Sequence, residues 1–364
     1  MADFTLDDDQ RQIQDMTRKF AEKEFRAQSR NCDESGELPP ELMEKAWELG
    51  FCPNIVPEEY GGYGLDRSVV TSAIMFEELA WGDASLALGA LSPLLMMVPI
   101  LEFGSPDQKS EWLPKFCGEK FPAATSALME PGISFSPSRL RTTVETKGGD
   151  LVLNGKKCLV PLADQAEAIL VLAAGPSGVE AVLVDRDAPG LLVGEREKNM
   201  GLRALPLFPI ELRDCRVPAS RLLGQGSGID YQRLIDLSRA SLCALAVGTA
   251  RASLEYALEY AKERKAFGEP IASRQSIAFM LAEAAMEVDA MRLMTWRAAW
   301  RLDRGGAALE ETALAKMYCG EQVMKVTDYG VQILGGHGYI REHPVEMWFR
   351  NGRAFSMLEG LAIS

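Results

Sequence analysis

Glu359 is the residue whose type and setting most directly suggest chemistry. It stands in the apolar segment Phe355-Ser-Met-Leu-Glu-Gly360, between Leu358 and Gly360. Burial of a carboxyl group raises its pKa, which suits it to accept a proton as a general base. A glutamate near a chain end is also commonly a solvated surface residue. From the residues alone this second interpretation is favoured.

Composition and charge limit the partners. The chain of 364 residues has 39 Lys and Arg against 52 Asp and Glu, which gives a formal net charge of −13. A long polyanion such as DNA would be repelled overall, and no Lys/Arg cluster reverses this locally, so no nucleic-acid partner is expected. Seven cysteines without a C-x-x-C pair indicate a reduced, cytoplasmic chain. The only two histidines, His337 and His343, argue against a Cys/His zinc site, and no metal is expected.

No targeting or membrane segment is predicted. The first residues lack a basic region followed by an apolar run, as a signal peptide would have. The apolar stretch from Ala84 to Leu101 is about as long as a membrane span, but it contains Pro93 and Pro99. A buried helix that is interrupted near its prolines is therefore predicted.

The pattern of the chain predicts an α+β fold that is mostly helical, in three domains. Residues 1–120 have helical patterns, for example at 40–50 and 69–81. Residues 121–227 have strand-like runs at 142–146, 150–154, 168–174, 180–185 and 208–213. The first two runs flank Lys147-Gly-Gly149, which indicates a hairpin in a small antiparallel sheet or barrel.

Residues 228–364 return to helical spacing and predict a four-helix bundle. A methionine-rich stripe there follows i, i+3, i+4 spacing, and we interpret it as packing. Its members are Ile277, Met280, Leu281, Ala284, Val288 and Met291.

Several short motifs, weak one by one, together resemble the acyl-CoA dehydrogenase family over almost the whole chain. They are Pro57-Glu-Glu-Tyr-Gly-Gly62, Glu130-Pro-Gly132, Asn154-Gly-Lys156, Val217-Pro218, Tyr260-Ala-Lys-Glu-Arg-Lys-Ala-Phe-Gly268, Gln332-Ile-Leu-Gly-Gly-His-Gly-Tyr339, Pro344-Val-Glu346 and Glu359-Gly360. The resemblance implies the family's fold, the cofactor flavin adenine dinucleotide (FAD), an acyl thioester such as acyl-CoA as substrate, and usually a homotetramer.

The resemblance also implies roles for particular residues. Glu359 stands where the family keeps its catalytic base, which reverses the preference for a surface glutamate. The remaining assignments fall into two sets. Arg264, Phe267, Gln275, Gln332, Gly335 and Gly336 match contacts to FAD, most of them donated to a neighbouring subunit's cofactor, while Asp236 and Arg239 match positions that face the acyl thioester. His337 and His343 match no catalytic role and are interpreted as structural or surface residues.

The middle segment departs from the family at residues that face the flavin ring. Where the family usually has Thr-Glu-Pro, this chain has Met129-Glu-Pro, and Phe135 stands where the family has a serine. Met129 and Ser134 are nevertheless kept among the predicted cofactor contacts. Where the family usually has Trp-Ile-Thr, this chain has Leu159-Val160-Pro161. The tryptophan indole, the threonine hydroxyl and the threonine backbone N–H are therefore absent from this segment. Leu361 replaces a residue that is commonly threonine.

Three hypotheses follow. The first is an FAD-dependent acyl-CoA dehydrogenase: Glu359 removes the α-proton, flavin N5 accepts the β-hydride, a trans-2-enoyl thioester forms, and electrons leave to an electron-transfer flavoprotein. The second is a flavin-poor subunit of a hetero-oligomer that lends its FAD contacts to a complete homologue. The third keeps the fold but acts on an acyl-carrier-protein thioester or runs a different flavin reaction. The retained Glu359 favours the first, and the clustered loss of ring contacts favours the second.

Overall fold

The computed structural model describes residues 4–50, 52–176, 178–224 and 228–364, and 54% of the chain is helical. The described residues of the first region contain seven α-helices, with one π-helical turn between the first two, and three short 3-10 helices. The α-helices are α1 (Asp8–Phe20), α2 (Ala27–Ser35), α3 (Pro40–Glu48), α4 (Val69–Gly82), α5 (Ala84–Ala90), α6 (Leu94–Phe103) and α7 (Pro106–Trp112). The helices predicted at 40–50 and 69–81 are α3 and α4.

Helices α5 and α6 form the buried, proline-interrupted element that the sequence predicts. They meet at an angle of 42°, with Pro93 at the break and Pro99 inside α6. Among the described residues, no single helix is long and apolar enough to cross a membrane; only this bent pair together reaches that length and composition. All of α5 and most of α6 are buried in the protein itself.

The central region is a sheet of seven strands. They are β1 (Thr125–Ala127), β2 (Thr143–Lys147), β3 (Asp150–Pro161), β4 (Ala168–Gly175), β5 (Gly178–Asp185), β6 (Leu191–Val193) and β7 (Leu207–Pro218). The predicted hairpin is β2–β3, with Gly148 and Gly149 at positive φ in its turn. The expected all-antiparallel arrangement is wrong at two places, because β4 pairs in parallel with both β1 and β2. Ser177, between the strand-like runs predicted at 168–174 and 180–185, lies outside the described residues.

The last region holds three long helices, α8 (Tyr231–Glu263), α9 (Gln275–Asp303) and α10 (Leu309–Leu334). A small hairpin, β8 (Lys265–Ala266) with β9 (Glu269–Pro270), joins α8 to α9. Two short helices follow, α11 (Gly336–Tyr339) and α12 (Val345–Gly352). Leu281, Ala284, Val288 and Met291 of the predicted stripe are buried, so its interpretation as packing is confirmed.

The order of helices, sheet and helices is as predicted, whereas the limits 1–120, 121–227 and 228–364 stay predictions. One large apolar core extends through α4, α5, α6 and α8 and includes Leu128, Met129, Leu358 and Leu361. A second core lies within the sheet, built from residues such as Val144, Leu153 and Val171. The segments on either side of Glu359 are therefore anchored in the main core.

Candidate active site

The carboxylate of Glu359 is held by Arg239. Glu359 lies in a non-helical segment after α12, and its side chain is 15% exposed. Arg239, on α8, donates from Nε to both carboxylate oxygens at 3.3 and 3.4 Å, and from Nη2 to Oε1 at 3.3 Å. The structure therefore brings together two predicted site residues that are 120 positions apart in the chain.

The Glu359–Gly360 segment separates two spaces of different character. Arg239 and Glu359 line an open cleft of about 440 Å³, which also has Lys316 and Arg353 in its wall. Their neighbours Ser238 and Gly360 line a small apolar cavity of about 30 Å³. The backbone that carries Glu359 is thus a wall between a cationic cleft and an apolar cavity.

Gly360 fits its place only because it has no side chain. Its φ is +73°, and a Cβ there would lie 2.6 Å from Cδ2 of Leu128. Its backbone N–H donates to Oγ of Ser238 at 3.0 Å. Leu128 and Ser238 therefore fix the segment from two sides.

Leu128 is in turn fixed by a buried ion pair. Nζ of Lys157, whose side chain is fully buried, donates to the Leu128 carbonyl and to Glu130 Oε1, each at 3.0 Å. Glu130 also accepts the backbone N–H groups of Arg141 and Thr142 at 2.7 and 2.8 Å. Burial alone would raise the pKa of Glu130, but the Lys157 charge and these two N–H groups outweigh it and hold that pKa at about 2. Burial lowers the pKa of Lys157 to about 8.

The first part of the predicted cofactor clamp is an outward-pointing hairpin. Arg264 ends α8 in an extended conformation, and its carbonyl accepts the N–H of Ile271 at 2.8 Å, which closes the hairpin. Phe267 and Gly268 form the tip at positive φ, and the Phe267 side chain is 97% exposed. Gln275, also exposed, begins α9 directly afterwards.

The second part of the clamp lies at the end of α10. Gln332, Gly335 and Gly336 are exposed, and a Cβ at either glycine would meet nothing within 4 Å. Tyr260, four residues before Arg264, is joined to Nδ1 of His337 by a 2.6 Å hydrogen bond. The last turn of α8 is thereby linked to α11, which directly follows α10, so both parts of the clamp are attached to the same Tyr260–His337 contact. His343 is paired in the same way with Tyr256, at 2.7 Å, so both histidines have structural partners.

These residues fit one half of FAD. The clamp offers a guanidinium, an amide and open glycine backbone, which suit a pyrophosphate that approaches from outside the chain. The segments that would face the flavin ring offer fewer hydrogen-bond donors. Met129 is buried, Pro161 has no N–H, and the N–H of Leu159 already donates to Glu197 Oε1 at 3.0 Å. The clamp therefore fits the cofactor, and the ring side is short of hydrogen-bond donors.

Some predicted site residues lie away from the Arg239–Glu359 pair. Asp236 is buried, and its carboxylate accepts from Thr312 Oγ1 at 2.6 Å and from Gln232 at 3.0 Å. Ser134 is exposed in the loop that leads to β2. Their roles towards substrate and cofactor, like those of Met129 and Gln275, stay predictions.

Ser238, Leu128 and Lys157 were not predicted from the sequence as residues of the site. Lys156 and Lys157 lie beyond the predicted strand 150–154, whereas β3 extends through both of them to Pro161. With the strand predicted to its full length, alternation would have placed the two lysines on opposite faces and made one of them a candidate for burial beside an acidic partner. The part that Ser238 and Leu128 play depends on a contact with Gly360, which no local pattern reveals.

Comparison with known proteins agrees with this arrangement. The sequence matches the models of three acyl-CoA dehydrogenase domains, the N-terminal domain over residues 7–120, the middle domain over 125–215 and the C-terminal domain over 224–362. The chain belongs to the acyl-CoA dehydrogenase family. The predicted resemblance and fold are thus confirmed.

Individual members of the family are similar over nearly the whole chain. The mitochondrial short-chain specific acyl-CoA dehydrogenase of Rattus norvegicus is 36% identical over 352 residues, which cover 94% of this chain and 84% of the relative. The butyryl-CoA dehydrogenase of Megasphaera elsdenii superposes with a TM-score of 0.90 at 30% identity, covering 100% of this chain and 96% of the other. The FAD complex of PigA superposes with a TM-score of 0.89 at 28% identity, covering 97% and 94%. Homologues named acyl-CoA dehydrogenases are oxidoreductases that act on CH–CH bonds.

Proposed function

We propose that the chain is an FAD-dependent acyl-CoA dehydrogenase in which Glu359 takes the α-proton of an acyl thioester. The observation that carries the proposal is the position of Glu359 on the wall between an apolar cavity and a cationic cleft. An acyl chain is apolar and its thioester carries a polar, often anionic, carrier, so the two spaces match the two ends of such a ligand. A carboxylate between them is placed to meet the carbon next to the carbonyl.

The residues around Glu359 have separate tasks in this proposal. Arg239 holds the carboxylate while no ligand is present and stays beside it as the proton is taken. Ser238 and Leu128 fix Gly360, so the base moves by side-chain rotation on a rigid backbone. The chemistry that FAD supplies when bound is acceptance of the β-hydride, with electrons then leaving to an electron-transfer flavoprotein.

The clamp supports an oligomer. Arg264, Phe267 and Gln332 point outward, where they can reach a cofactor held mainly by another subunit. Helix α9 also exposes Phe279, Met286 and Leu293, which are spaced seven residues apart and so lie on one face. A second subunit that covers this face would bring its cofactor towards the clamp, as a closed symmetric assembly requires.

The test uses Glu359→Gln with Glu321→Gln as matched control. Glu321 lines the same cleft but does not contact Arg239 in the described structure. Glu359→Gln should bind a butyryl thioester like the unmodified protein, while turnover to the enoyl product falls by a factor of about 10² to 10⁴ or more, as for loss of a general base. Glu321→Gln should turn over normally. Equal rates for the two variants would remove Glu359 from the mechanism.

A second candidate function is the flavin-poor partner subunit. The shortage of donors on the ring side, at Met129, Leu159 and Pro161, favours it. Each missing buried hydrogen bond costs about 1 kcal/mol, so several would weaken FAD binding by powers of ten.

The flavin-to-chain ratio of the protein purified alone separates the two candidates. One flavin per chain that survives dialysis supports the dehydrogenase. A clearly lower ratio, restored by co-expression with a complete homologue or by Met129→Thr with Leu159→Trp and Pro161→Thr, supports the partner subunit.

A further inference from the structure

The apolar cavity beside Gly360 is small and closed on several sides. Its volume is about 30 Å³, room for about two water-sized groups. Five elements form its walls: α6, β1 with the residues that follow it, β4, the first turns of α8, and the segment from Gly360 to Ile363. None of the described residues that line it is charged. Such a space accepts an apolar group more readily than water, which would find few partners there.

Tyr231, the first residue of α8, is the largest of the described residues that line this cavity. Its hydroxyl donates to the Pro137 carbonyl at 2.7 Å, which ties the helix start to the loop before β2. Burial, reinforced by the nearby charge of Glu359, raises the pKa of the phenol above its ordinary value, so it remains a donor. The ring cannot swing out of the cavity without leaving the Pro137 carbonyl unpaired.

Resting on the proposed function, we infer that the substrate is a short, unbranched acyl thioester and that Tyr231 is the residue that sets the chain-length limit. When the α-carbon lies beside residue 359, the cavity leaves space for about two further carbons, as in a butyryl group. A longer chain would collide with the walls of the cavity, where the Tyr231 ring is the bulkiest side chain. In a pocket of fixed size, each methylene that does not fit lowers specificity by a factor of about 10 to 200.

An open pocket would give the opposite trend. Each additional methylene that is buried strengthens binding about fourfold, because burying one contributes about 0.8 kcal/mol. Octanoyl-CoA would then bind more tightly than butyryl-CoA. The sign of the chain-length dependence therefore distinguishes a closed pocket from an open one.

The experiment measures dissociation constants of butyryl-CoA and octanoyl-CoA by titration calorimetry, which needs no turnover. The unmodified protein should bind butyryl-CoA at least tenfold more tightly. Tyr231→Ala should remove or reverse this preference. Tyr231→Phe, the control, keeps the ring and should keep the preference. Leu95→Ala enlarges the cavity from α6 and should also favour octanoyl-CoA, in case Tyr231→Ala does not fold.

The outcomes separate this inference from the function on which it rests. Tighter binding of octanoyl-CoA by the unmodified protein overturns the chain-length limit but leaves the dehydrogenase proposal standing. A preference for butyryl-CoA that persists in a folded Tyr231→Ala protein overturns the role of Tyr231. Absence of binding for both thioesters contradicts the proposed function itself.

Discussion

Replacement of Lys157 by methionine should destabilise the protein strongly. The substitution removes the positive charge that faces Glu130 at 3.0 Å inside the protein and leaves the Leu128 carbonyl without its donor. Both side chains of the pair are almost completely buried. Removing one partner of a buried ion pair costs about 3 to 5 kcal/mol. Glu130 would keep only its two backbone N–H donors and the Nε of Arg141, a mostly exposed side chain, at 3.6 Å.

Lys156→Met is the matched control. The Lys156 side chain is 64% exposed, and its ammonium lies 3.6 Å from Glu211 on the surface. Exposed pairs contribute little, so the free energy of unfolding should not change beyond experimental scatter. Both variants are compared with the unmodified protein by urea unfolding, followed by tryptophan fluorescence.

The pH dependence of the free energy of unfolding gives a second measurement on the Lys157–Glu130 pair. The pKa of Glu130 is about 2 in the folded protein against an ordinary value of 4.5. A lowered folded pKa means that the stabilising contribution is present above pH 4.5 and is lost as the pH falls towards 2. Lys157→Met should weaken this acid dependence, because Lys157 is the charge that lowers the pKa. A loss of less than about 1 kcal/mol at neutral pH, with unchanged acid dependence, would refute the reasoning.

Two other predictions follow from the site and the core. Asp83 caps α5 by accepting from Ser85 and Leu86, and burial raises its pKa from 3.8 to about 6. The folded state therefore binds this proton more tightly than the unfolded state does. As a result, the contribution of Asp83 to the free energy of unfolding falls as the pH rises from 3.8 to 6. Asp83→Asn should therefore raise the melting temperature at pH 7 but not at pH 4, and an equal change at both would contradict this. Arg264→Gln should weaken FAD retention by about 10- to 100-fold, the loss expected for a charge-assisted hydrogen bond, whereas Lys262→Gln two residues earlier should not. Flavin per chain after gel filtration measures this effect, and equal retention would remove Arg264 from the clamp.

Local patterns predicted most of the helices and strands because each depends on neighbours in the sequence. The β2–β3 hairpin follows from its glycine turn, and the buried α5–α6 pair follows from its prolines. The parallel pairing of β4 with β1 and β2 could not be predicted in this way, since it joins segments that are distant in the chain.

In the candidate site, too, single residues could be predicted from the sequence, whereas contacts between distant segments could not. Arg239 and Glu359 were each predicted by resemblance, but that they form an ion pair depends on how α8 meets the segment after α12. The role of Tyr231 depends on the size of a cavity with walls from five elements, which no sequence window contains. Lys157 was missed for a different reason, because β3 extends to Pro161, past the predicted limit of the strand at 154.

Exchange of the α-hydrogen with solvent shows whether Glu359 takes the α-proton. The flavin-loaded protein is incubated with butyryl-CoA in D₂O without an electron acceptor, and deuterium at the α-carbon is followed by mass spectrometry. We predict that the unmodified protein and Glu321→Gln exchange the α-hydrogen, and that Glu359→Gln exchanges it at least about 10²-fold more slowly while it still binds the thioester. Exchange in Glu359→Gln at the rate of the unmodified protein would contradict the account.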